Sequence, residues 1–144
     1  MDGTAAGYSA TMSQENVEVV RRVHDAAGRR DVATVLALYD PDVELDVSRV
    51  EIVGQDTYRG HDGLRRFFRE WHEAWESIDY SFEELIDAGD QVISVVTRRA
   101  RGRASGADVE WPLALVWTLR AGRVTRLVWF PAREDAFEAV GLPE

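Results

Sequence analysis

The 144 residues include no cysteine, which removes disulfides, thiolate nucleophiles, cysteine-bound zinc and iron–sulfur clusters together. Lysine is absent too: all 17 basic residues are arginine, a bias that fits a GC-rich coding sequence better than a binding function. No apolar run approaches the ~20 residues that span a bilayer. Residues 1 to 11 lack the apolar stretch of a signal peptide. A cytoplasmic protein with no membrane partner is therefore expected. The net charge of −9 opposes non-specific attraction to nucleic acid or anionic lipid. The locally basic "RRARGR" (98 to 103) has no interleaved aromatic residues. It reads as a solvated hairpin end, so no nucleic-acid partner is expected.

What is present fits one domain. The first twelve residues, rich in small side chains and without an amphipathic period, read as a disordered extension, with the domain running over 13–144. Ser13 is expected to cap a first helix carrying Val17, Val20, Val23 and His24 or Ala27 at helical spacing. Asp31 is expected to cap a second, "VATVLALY". "DPDVELDV" turns into a strand with Val43, Leu45 and Val47 on one face, and an irregular loop follows to Gly60. From Asp62 to Glu76, Leu64, Phe67, Phe68, Trp71 and Trp75 form one broad apolar helix face. Four strands then follow, punctuated by Gly89-Asp90, by residues 102 to 106 and by Ala121-Gly122. This order predicts an α+β domain with helices on one face of a curved sheet. "LALVWTL" and "RLVWF" are apolar at nearly every position, so both faces of these strands should be covered. Trp117 and Trp129 are among these apolar residues, and a second copy of the chain docking on the convex face is the expected cover, giving a homodimer.

The element order, with "YRGHDGLRRFF" opening the third helix and "IDAGDQV", "GRASG", "WTLRAGRV" and "EDAFEAVGL" behind it, resembles the SnoaL-like branch of the nuclear-transport-factor-2-like superfamily. The resemblance covers residues 13 to 142 and implies a cone: a bent antiparallel sheet wrapped around a long helix, with further helices closing an apolar pocket. The implied lining is Tyr39, Val47, Tyr58 and Phe68, with Trp71, Trp75 and Arg98 beside them. From the later strands come Trp111, Leu113, Leu115, Trp117 and Phe130.

Relatives with this fold include ketosteroid isomerase and polyketide cyclases, which set acids or hydrogen-bond donors in a dry pocket. Their positions are apolar here. The isomerase base falls at Val47, with Asp46 pointing away; its tyrosine falls at Val23 and its aspartate near Leu115. "FPARED" offers Pro131 and Ala132 where a SnoaL-type aspartate is frequent. The remaining candidate for acid/base work is His24, beside the isomerase tyrosine position, with Tyr39 and Tyr58 as donors. Arg98 faces the pocket or solvent depending on a one-residue register choice. His24, His61 and His72 lack a metal-ligand spacing, so no metal and no cofactor is expected. Ser48, Ser94 and Ser105 lack a His–Asp partnership. The resulting expectation is a cofactor-free isomerase, cyclase, dehydratase or hydrolase acting on a small apolar metabolite of polyketide, terpenoid or steroid size. The alternatives are a non-catalytic binder of such a ligand, or a dimerisation module for a protein partner.

Overall fold

The computed structural model describes the backbone of residues 2–50 and 57–143, with side chains from Gln14 onward. Residues 51–56 of the expected irregular loop lie outside the described residues. Helix α1 runs Asp2–Gly28, α2 Val32–Ala37 and α3 Gly60–Ala74, and α4 closes the chain at Arg133–Val140. The strands are β1 Tyr39–Asp46, β2 Thr57–Arg59, β3 Trp75–Ala88, β4 Gln91–Gly102, β5 Asp108–Arg120 and β6 Arg123–Phe130. They form one six-stranded sheet in the order β2-β1-β6-β5-β4-β3. All neighbouring pairs are antiparallel except β1 with β6.

Two helix boundaries differ from expectation. Backbone hydrogen bonding continues through Ser13 to Asp2, so Ser13 is not a cap; the alanines at 5, 6 and 10 are good helix formers that prolong the helix. Trp75 is not on α3 but opens β3, extended at φ −120 and ψ 130. The Arg103 guanidinium donates to the carbonyls of His72, Glu73 and Trp75, and satisfies the orphan acceptors of the last helical turn with a cation where the dipole favours one. Asp31 caps α2 as expected, accepting from the Thr34 N–H at 3.2 Å.

The glycines of "YRGHDG" set the approach of α3 to the sheet. Gly60 has φ +68, and a Cβ there would come within 3.2 Å of the Pro41 carbonyl; at Gly63 it would meet the Tyr58 backbone at the same distance. Glycine therefore suits both positions, at Gly60 through its positive φ as well as the close approach.

The sheet carries two apolar layers. Leu113, Leu115, Trp117, Leu127 and Trp129 point into the concave core with α1, α2 and α3. Ile93, Ala114, Val116, Val128 and Phe130 pack on the opposite face against Ala136 and Phe137 of α4. Both faces of the central strands are therefore covered, as their composition requires, but the chain itself supplies the second cover. Register places both Trp117 and Trp129 inside the cone, so neither belongs to the convex face. The uncovered part of the convex face carries paired charges, Arg99 with Glu110 at 2.6 Å and Arg101 with Asp108 at 2.9 Å.

Candidate functional site

Period-two alternation along β4 sends Val92, Ser94, Val96 and Arg98 toward the helices, while Arg99 and Arg101 go outward. Opposite them stand Trp71 of α3 and His24 of α1. Between these elements lies a cavity of about 90 Å³. Its inner wall includes Val23, His24, Tyr39, Leu115, Trp117 and Trp129, with Tyr80 and Arg98 adding polar atoms; Arg30, Asp31 and His72 lie at the more exposed rim.

His24 is 3% exposed and packs edge-on against Phe82 at 4.5 Å and Trp117 at 5.1 Å. Its Nε2 is 3.0 Å from Ser94 Oγ, which also accepts the Trp117 indole N–H at 2.8 Å. Because the indole can only donate, the Ser94 hydroxyl proton is free to go to Nε2, which places the ring's own proton on Nδ1. Burial, with a smaller contribution from the Arg98 charge, pushes the imidazole pKa down to about 3. At neutral pH His24 is thus a neutral ring whose Nε2 lone pair is already occupied, and a proton acceptor far weaker than one poised near pH 7. Nor do Ser94 and His24 form a nucleophilic pair: Ser94 is fully buried, and among the described residues no carboxylate orients the imidazole.

Arg98 takes the inward register. Its guanidinium lies 4.8 Å from the Trp129 ring centre, 5.3 Å from Tyr80 and 5.6 Å from Trp71. Its Nε is buried without a hydrogen-bond partner among the described residues. None of the ion pairs among those residues includes it. Burial lowers its pKa to about 10, so it stays charged at neutral pH. Burial raises the Tyr39 phenol above its usual value and takes Tyr80 up to about 12, so neither is a counter-ion. The Tyr80 hydroxyl donates to the His24 carbonyl. The Tyr39 hydroxyl makes no hydrogen bond to a described residue.

The implied lining divides. Tyr39, Phe68, Trp71, Arg98, Leu115 and Trp117 meet at this cavity with His24. Trp75, Trp111 and Leu113 instead border a separate hollow of about 540 Å³ with Arg49 and Pro131. The ring of Trp71 touches those of Trp75 and Trp111, at 5.8 and 6.3 Å, and so stands between the two spaces. Three residues depart from the implied lining. Tyr58 is fully buried beside Phe67, its hydroxyl donating to Glu70 at 2.7 Å. Val47 fills core, and Phe130 lies on the convex face beneath Arg49. Asp46 also points away from the cavity. Burial would raise its pKa, but hydrogen bonds from Ser48 and Arg49 outweigh this and lower it. Sequence reasoning missed Ser94 as the partner of His24 and Trp117; its place between Val92 and Val96 on an inward-facing strand register was the available signal.

A bent sheet closed by helices around an aromatic-walled cavity defines the cone class of α+β domains. The SnoaL-like domain pattern matches residues 20–127, and the chain belongs to that family. Among solved structures, it is similar to a nuclear-transport-factor-2-like protein from Burkholderia thailandensis, with 28% identity over 89% of this chain and 98% of that one at a TM-score of 0.73. TerC co-crystallised with polyporic acid is similar at 22% identity, 88% and 98% coverage and a TM-score of 0.73. A Mycobacterium tuberculosis protein in complex with estradiol-17β-hemisuccinate is similar at 15% identity, 83% and 95% coverage and a TM-score of 0.71. No curated protein sequence matches the chain.

Proposed function

We propose that this chain binds a small apolar molecule in the cavity between α1, α3 and the concave sheet, and releases it unchanged. The observation that carries this reading is the lack of a usable base. Among the described lining residues the one carboxylate is Asp31, at the rim and bonded to Thr34, while His24 is neutral with Nε2 occupied. Relatives of the same fold crystallised with polyporic acid and with estradiol-17β-hemisuccinate support small-molecule binding in general. At about 90 Å³ the cavity is smaller than an engineered cavity of roughly 150 Å³ that takes benzene, so a single aromatic ring is the upper limit of what it holds. A polyketide-, terpenoid- or steroid-sized compound would have to part the Trp71, Trp75 and Trp111 rings and join the cavity to the neighbouring hollow. Titrating one-ring compounds against tryptophan fluorescence tests the reading, since Trp71, Trp117 and Trp129 wall the cavity. Saturable quenching with the compound recovered intact supports it. Absence of binding across the panel, or recovery of a product, overturns it.

Cofactor-free isomerisation, cyclisation, dehydration or hydration is the second reading. It is favoured by two donors, Tyr39 and Arg98, entering one apolar cavity, where they could steady a developing oxyanion. The proton would then fall to His24. If so, His24→Gln lowers turnover of any substrate found by screening by ~10²–10⁴-fold; turnover at the parent rate eliminates His24 as the acid/base group.

A further inference from the structure

We propose that the ligand of this cavity is a small apolar acid whose anionic oxygen pairs with the Arg98 guanidinium. The inference rests on the binding reading above and narrows it from apolar molecules in general to apolar anions.

The argument begins with charge. Arg98 is the one charged side chain of the inner wall, with Arg30 and Asp31 at the rim, and none of the ion pairs among the described residues includes it. The ionisable neighbours facing it from other elements are His24 of α1, Tyr39 of β1 and Tyr80 of β3, all uncharged at neutral pH. The rings of Trp71 and Trp129, from α3 and β6, complete its surroundings. The interior of the site therefore carries one net positive charge. The Arg98 side chain is half-buried with its Nε shut off from solvent, and cation–π contacts compensate such a guanidinium only in part. An unpaired charge in such surroundings is costly, whereas a paired and hydrogen-bonded one is tolerated.

Chemistry then sets the ligand class. A guanidinium presents a planar fork of donors that matches the two oxygens of a carboxylate. Tyr39, in the same cavity, offers a further hydroxyl that makes no hydrogen bond to a described residue. The remaining wall is aromatic and aliphatic and suits the hydrocarbon part of the molecule. Its size restricts that part to about one ring or a short chain.

The test compares acids with their neutral amides: benzoate against benzamide, and hexanoate against hexanamide, by calorimetric titration of the whole protein at pH 7. The acid is expected to bind roughly 10- to 100-fold more tightly than its amide, the range of a charge-assisted hydrogen bond. Arg98→Met should reduce that ratio to about one while still binding the amide. Arg98→Lys should retain part of the preference. Equal affinity of acid and amide for the parent protein overturns the proposal and leaves the binding reading intact, as does an acid preference that persists in Arg98→Met. If neither acids nor amides bind, the binding reading fails and this proposal fails with it.

Discussion

At the scale of single residues, the four arginines of the run 98 to 103 divide into three fates. Arg98 goes into the cavity, Arg99 and Arg101 pair with Glu110 and Asp108 on the outer face, and Arg103 closes the end of α3. A strand's period of two separates the first three, and a hydrogen-bonded turn positions the fourth. His24 supports a pH prediction. Its pKa is 6.5 when unfolded and about 3 when folded, so between those values the unfolded chain binds more protons. Its contribution to stability is complete above pH 6.5 and declines as the pH falls toward 3, by about 1.4 kcal/mol per unit within that window. Urea midpoints at pH 7 and pH 5 should therefore differ more for the parent than for His24→Gln; equal differences would refute the assignment. Ser94→Ala should cost about 1–3 kcal/mol for each group it leaves unpaired, the Trp117 N–H and His24 Nε2. A urea melt measures this.

At the scale of elements, α4 changes the meaning of the apolar strands. "LALVWTL" buries five consecutive residues, Leu113 to Trp117, because odd positions face the helices of the cone and even positions face Phe137 and Ala136. Phe137 is 6% exposed, with the Arg133 guanidinium 4.1 Å from its ring centre. Phe137→Ala should cost about 3–5 kcal/mol and expose Val116 and Val128, raising the binding of apolar dyes. A change below about 1 kcal/mol in chemical denaturation would show that α4 is not the cover that makes those strands stable.

For the whole molecule, the geometry removes one argument for self-association, because the second face of the central strands does not wait for another copy. A homodimer through the convex face remains a proposal resting on resemblance to the fold family. It would have to accommodate the Arg99–Glu110 and Arg101–Asp108 ladders. Sedimentation at micromolar concentration checks it: dimer mass, reduced by Arg99→Glu, supports it, and monomer mass overturns it. Among the described residues no helix is long and apolar enough to cross a membrane.

The sequence by itself determined most of the elements and the fold class. Hydrophobic spacing, turn glycines and the Asp31 cap are local signals, each acting within a few residues. The resemblance carried by its motifs implies that the reagent positions of related enzymes fall at Val23, Val47 and Leu115, all apolar residues. Tertiary structure alone decided the parallel pairing of β1 with β6, the short β2 strand, the role of α4 and the direction of Arg98. It alone paired His24 with Ser94 across 70 residues. Those outcomes depend on register and on contacts between distant segments, where a slip of one residue exchanges the two faces of a strand, and no local pattern carries that information.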